Sequence, residues 1–170
     1  MSKKNLSIMD RIKTFEDAVK ELGEKHPAVC EYNAIVSAGL ETSMSPDILA
    51  YFKLRIITAA LNEGWEPQFT VGEYRYWPWF WLYTQEEVDA MTEAERSELL
   101  YVGGYANYGA LCGLSYAYSN SAFSYSSTSL GARLAFKSRE LAKYAGRQFI
   151  ELWSDFSFKP VDGHGKEEKQ

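Results

Sequence analysis

The sequence predicts an α+β fold with N-terminal helices, a small irregular antiparallel sheet and a C-terminal helix packed on that sheet. Three observations lead there. Apolar residues of the N-terminal part recur at three- and four-residue steps, the period of a helix with one buried face. A β-prone and almost wholly aromatic run then covers Tyr74 to Tyr83. Beyond it, the 34 residues from Leu99 to Ala132 carry no Asp, Glu, Lys or Arg, although the chain as a whole is 24% charged. Such a stretch is rich in glycine, which favours short strands and long turns over regular helix.

A chain of 170 residues is long enough for one self-sufficient core. Residues 1–158 read as a single α+β domain, with 1–64 mainly helical and 65–158 mixed and aromatic-rich. Residues 159–170 are polar, end in a charge run, and read as a disordered tail. The net charge of −5 opposes a broad surface for nucleic acid or an anionic membrane. No run of about 18 apolar residues occurs, so no membrane span is expected. The N-terminal Met1-Ser2-Lys3-Lys4-Asn5 has the charges of a signal peptide without its apolar centre. A cytoplasmic location in the producing cell is the resulting expectation.

In the helical part, Ile8, Ile12, Phe15, Val19 and Leu22 mark one helix that stops at Gly23. Ser45-Pro46-Asp47 is an N-cap followed by proline at the first helical position, and opens a helix to Asn62-Glu63-Gly64. Its apolar residues lie on several faces, which places it at the centre of the core. Trp65-Glu66-Pro67 ends the helical part. In the aromatic run, Pro78 has no N–H for a ladder and implies an edge strand or a strand start. Thr84 with Glu87, and Thr92 with Glu95, have the spacing of capping boxes for two short helices reaching about Leu100. A strand is expected near Leu111 to Tyr118 and another at Ala132 to Phe136. Ser138 opens a last helix that runs to about Phe156.

Catalytic and metal chemistry have little to work with, and neither a cofactor nor a metal is expected. The two histidines, His26 and His164, stand apart, and neither has a second ligand at metal spacing. No Ser or Cys has a base close by in sequence, so the chain does not read as an enzyme. Glu63, Glu66 and Glu73, near the tryptophans, are the only carboxylates that could be offered. Cys30 and Cys112 are read as two unpaired, partly buried thiols, with a single bridge as the alternative. No glycine pattern of a phosphate loop is present.

The positive signal is binding. Strand alternation puts Trp77, Trp79 and Trp81 on one face and Tyr76, Phe80 and Leu82 on the other. Either both faces are covered, or the tryptophans form a stacking platform. The segment from Tyr101 to Gly131 holds six tyrosines, seven serines, five glycines and four alanines, a composition like that of antibody paratopes. Its candidate ligand-binding residues are Tyr105, Asn107, Tyr108, Tyr116, Tyr118, Asn120, Phe123 and Tyr125. A protein or glycan ligand suits that surface, nucleic acid and membrane do not, and oligomerisation is left open.

The stretches Ala60-Leu61-Asn62-Glu63-Gly64-Trp65, Tyr76-Trp77-Pro78-Trp79-Phe80 and Gly131-Ala132-Arg133-Leu134-Ala135-Phe136-Lys137-Ser138-Arg139-Glu140-Leu141 resemble a family of uncharacterised proteins from gut Bacteroidetes and their phages. The likeness spans roughly Phe15 to Phe158 and implies no activity. In layout, an uncharged segment closed by Gly131-Ala132-Arg133 also resembles the variable proteins of diversity-generating retroelements, which display changing residues on a C-type-lectin-like fold. Adenine-directed mutagenesis of Asn codons cannot produce Lys, Glu, Gln, Met or Trp, and Tyr101 to Gly131 contains none of them. That family has an aromatic in the middle of the triplet, and a helix after it is not its usual ending. Together the resemblances imply a phage or prophage binding module with a hypervariable 101–131 surface. The alternative is a structural or assembly protein of a phage particle, virion-associated, using the aromatic segment as a subunit interface.

Overall fold

A computed structural model of the chain describes residues 6–68, 70, 72–97, 99–106, 110–122 and 131–157, with the backbone alone at 82, 85, 97, 99–106 and 110–122. Among these residues the helices are α1 (Ile8–Arg11), α2 (Phe15–Leu22), α3 (Pro27–Ser37), α4 (Pro46–Leu61), α5 (Gln85–Ala90), α6 (Glu93–Ser97), α7 (Arg139–Gln148) and α8 (Ile150–Ser157). The strands are β1 (Arg75–Tyr83), β2 (Leu99–Ala106) and β3 (Ala110–Ala122). The α+β class therefore holds. The proposed tail, 159–170, lies outside the described residues.

Helix α4 is central because apolar and small residues occupy most of its circumference: Ala50, Leu54, Ile56, Ile57, Thr58, Ala60 and Leu61 are all buried. It packs against α2, α3 and α8. One hydrophobic cluster joins Ile12, Val29, Ile56 and Leu61 to Leu134, Phe136 and Trp153, so the two halves of the chain share a core.

The N-terminal run is two helices rather than one. Thr14 accepts from the N–H of Asp17, while the Asp17 carboxylate accepts from the N–H of Thr14, a reciprocal cap that restarts the chain as α2. The α2 helix stops where Gly23 takes φ +81°, a left-handed conformation that favours glycine. The last helix is likewise two, because Phe149 at φ −117°, ψ +36° interrupts it between α7 and α8. Helix α7 lies on β1 and β3, whereas α8 lies mainly on α4. Helix α3, unmarked in the sequence reading, is opened by His26, whose Nδ1 accepts from the N–H of Ala28 at 3.3 Å.

The strands form an antiparallel sheet in the order β1-β3-β2. The expected strand at Ala132 to Phe136 is instead a 3₁₀ turn at Ala132–Leu134 followed by a single bridge. That bridge pairs Phe136 with Tyr76 through reciprocal backbone bonds of 3.1 and 2.8 Å. Tyr76 thus points its backbone groups away from β3. By strand periodicity the nitrogen of Pro78 lies on the same outer edge, where a missing N–H leaves no ladder bond unmade.

What positions the 3₁₀ turn is Asn62, the C-cap of α4 and 3% exposed. Its Nδ2 donates to the carbonyl of Ala135 at 2.8 Å, and its Oδ1 accepts from the N–H of Lys137 at 3.0 Å. Asn62→Ala leaves both partners unmet, and is expected to cost about 2–4 kcal/mol in denaturant unfolding. Ile56→Ala, at a fully buried site, is expected to cost about 2–5 kcal/mol. A loss below about 1 kcal/mol in either variant contradicts the assigned role.

Candidate functional site

Strand β1 presents two unlike ends. At its start Arg75 is wholly buried with its guanidinium 5.8 Å from the Trp77 ring centroid, and Trp77 is 6% exposed. The Trp77 indole N–H donates to the carbonyl of Gly131 at 3.2 Å, which explains how a tryptophan is tolerated there. Residues 77, 79 and 81 fall on one face by alternation, yet Trp79 is 40% and Trp81 52% exposed. Their rings meet edge to face, centroids 5.5 Å apart and planes at 66°, and make an open aromatic corner. On the opposite face Tyr76 and Phe80 pack on the core, Phe80 lying 6.1 Å from Trp153. Tyr74, also exposed, stacks on Tyr76 at 6.4 Å.

The β3 part of the uncharged segment runs directly beside this corner. In register, Trp77 pairs with Asn120, Trp79 with Tyr118 and Trp81 with Ser115. Between the last two pairs the register shifts, so that Tyr116 and Ala117 stand opposite Phe80 alone, a bulge in β3. Of the sequence-derived binding residues, Tyr116, Tyr118 and Asn120 therefore sit on β3 next to β1, and Tyr105 sits on β2 opposite Leu111. Asn107, Tyr108, Phe123 and Tyr125 lie outside the described residues. Trp79 and Trp81, two of the three tryptophans of the stacking-platform reading, and Tyr74 belong to the exposed surface, whereas Trp77 does not. The signal available for them was the tryptophan repeat at alternate positions. What broke the alternation was the burial of Trp77 and Pro78 together.

The carboxylates near the tryptophans have other occupations. Glu63 accepts from Lys137 Nζ at 3.0 Å and pairs with Arg11 at 2.9 Å. The hydrogen bond from Lys137 is the main cause that holds its carboxyl below the usual glutamate range. Glu73 accepts from the N–H of Gln68 at 3.0 and 3.1 Å, closing a turn. Glu66 lies at a separate cleft beside Trp65. No group of three or more His, Cys, Asp or Glu side chains that could hold a metal ion is found among the described residues. Cys30 is a free thiol, exposed rather than partly buried, donating to the carbonyl of Glu24. Cys112 is on β3 with its side chain outside the described set, and His164 is outside it altogether.

No family model, curated protein or solved structure matches this chain. The site is therefore read from its own residues.

Two outcomes follow from this geometry. Trp81→Ala is expected to change unfolding free energy by less than about 1 kcal/mol, because the ring is half exposed. Trp77→Ala is expected to cost about 3–5 kcal/mol, as for a buried aromatic. Equal losses in the two melts contradict the open corner. For Glu63, the folded carboxyl titrates below its unfolded value, so its stabilisation is complete at neutral pH. It is lost as pH falls through the folded value. The stability gap between wild type and Glu63→Gln is expected to be under about 1 kcal/mol, since the side chain is substantially exposed. It should shrink between about pH 6 and pH 3 when measured by urea unfolding.

Proposed function

We propose that this chain is a ligand-binding module, not an enzyme, whose contact surface is the open aromatic corner of β1 together with the uncharged strand beside it. The observation that carries the reading is the exposure of Trp79 and Trp81, edge to face, on a strand paired with a charge-free stretch. Exposed rings gathered on one face lower their free energy when a partner covers them. Tryptophan and tyrosine supply most of the contact energy at such surfaces. The ligand is a protein or a glycan. Nucleic acid fits poorly, because a surface without lysine or arginine releases no counterions from phosphates.

The motif resemblance extends the proposal to a phage or prophage origin, with work in the cytoplasm of the producing cell or on a virion. Among the described residues no helix is long and apolar enough to cross a membrane. A narrower form of the proposal is C-type-lectin-like display of a hypervariable 101–131 segment. It draws support from β3, which is paired on both sides, so that backbone bonds hold it whatever side chains it carries. The α7 and α8 helices after Gly131-Ala132-Arg133 depart from the usual ending of that fold. The alternative, a structural or assembly protein of a phage particle, is favoured by a second exposed apolar group: Val36, Leu40 and Ile48 around the α3–α4 connection.

Parallel screening of wild type and Trp79→Ala/Trp81→Ala protein against a neutral-glycan array and a displayed-peptide library tests the proposal. At least one ligand of the wild type should be lost by about tenfold or more in the variant, with melting behaviour preserved. A folded variant that keeps every ligand overturns it. If light scattering finds a wild-type oligomer that the variant dissociates, the assembly reading replaces it.

A further inference from the structure

A second concave site lies on the helical side of the molecule, away from the aromatic corner. Its walls are the start of α3, one face of α4, the loop after α4 and the 3₁₀ turn, and its volume is about 280 Å³. That is near the small end of the range for ligand sites. The α4 wall follows from helical spacing, since positions 55, 58, 59 and 62 are three and four residues apart. The 3₁₀ wall is fixed by the bonds from Asn62 to the backbone of Ala135 and Lys137.

The unspent polar groups of this cleft are mainly donors. Arg133 stands on the 3₁₀ turn and makes no hydrogen bond or ion pair among the described residues. Arg55 is held rigid: one nitrogen pairs with Glu31 at 2.6 Å while the guanidinium lies over the Tyr51 and Phe52 rings at 5.8 and 5.9 Å. Its remaining N–H groups are not used by that pair. His26 accepts at Nδ1 from the N–H of Ala28, so its own ring proton is on Nε2, a further donor. In the wall, Thr58 is 2% exposed and its hydroxyl has no partner. Buried hydroxyls are nearly always satisfied, and one that is not points to a missing group. Glu66, at the exposed rim, is the one carboxylate of the lining. Beside these donors the cleft offers a flat apolar surface, the half-buried Trp65.

We propose that this cleft binds a small organic anion, a carboxylate or phosphate monoester carried on a flat apolar body. Arg133 is the charge partner, His26 and Arg55 supply further donors, and Trp65 takes the flat body against its ring. Arginine suits the role because its planar donors match a carboxylate or a phosphate two at a time. The site is independent of the aromatic corner, and its occupancy does not depend on the binding proposed there.

Calorimetric titration of the full chain with benzoate, phenyl phosphate and benzyl alcohol tests the proposal, the two acids distinguishing a carboxylate from a phosphate. Saturable binding of one acid with little or none of the neutral alcohol is expected. Arg133→Gln should weaken that acid by about tenfold or more, since the lost contact is charge-assisted. Arg133 is exposed, so the variant should melt like the wild type. Trp65→Leu should also weaken it, whereas Trp79→Ala/Trp81→Ala should bind it like the wild type. No saturable binding of either acid up to about 10 mM, well beyond millimolar affinity, overturns the proposal. So does equal binding of benzyl alcohol, or an Arg133→Gln protein that binds the acid unchanged.

Discussion

The carboxamide of Asn62 is the contact on which the two halves of this protein depend. It terminates α4, and it donates to Ala135 and accepts from Lys137 at the same time. The amide does both at once from one short side chain, whereas an ionised Asp lacks the donor and Leu lacks both groups. Buried at a low local dielectric, each of these bonds is strong, and each partner would be costly to leave alone. Because residues 135 and 137 are held, Phe136 between them is presented to Tyr76. The helical layer thereby reaches the first strand of the sheet through three residues.

Charge is distributed unevenly around that link. Glu63, next in sequence, ties Arg11 of α1 to Lys137, so one exposed ion-pair group spans three distant parts of the chain. Exposed pairs of this kind add little to stability. Across the core, the sheet side replaces charge with aromatic area. Arg75 is the exception, a buried cation beside the Trp77 ring, at a position where an unpartnered charge would be prohibitive. Within the described strands themselves Arg75 is the one charged residue, so the acidic balance of the chain is carried by its helices and loops.

Many of the helix boundaries were legible because their signals are local. The capping boxes at Thr84 and Thr92, the Ser45-Pro46 start and the Gly23 stop each depend on residues within one turn. Helix α4 declared its central place by apolar residues on several faces. The Ile8–Leu22 periodicity was real but hid the cap at Thr14, since a helical phase can continue across a short break. Alternation from Ala132 to Phe136 suggested a strand, yet a 3₁₀ turn also spaces buried residues closely, and Asn62 decided between them from 73 residues away. The site was half legible for the same reason. Lack of charge marked Tyr116, Tyr118 and Asn120 as a group, and they do lie on one strand. That Trp77 is core while Trp79 and Trp81 are open depends on what covers each end of β1, which is a tertiary fact without a local signature.

The outer margin of β1 has a consequence for self-association. A strand at a sheet margin is ordinarily a template on which a second copy can grow. Here the position at Tyr76 is already occupied by Phe136, and the next outward position is a proline that can give no bond. A neighbour sliding along this margin would meet a filled slot and then a silent one, so its hydrogen-bond ladder would fail within three residues. The stretch of this margin from Tyr76 to Pro78 is therefore a poor template for an added strand, immediately before the place where the rings of Trp79 and Trp81 stand in water.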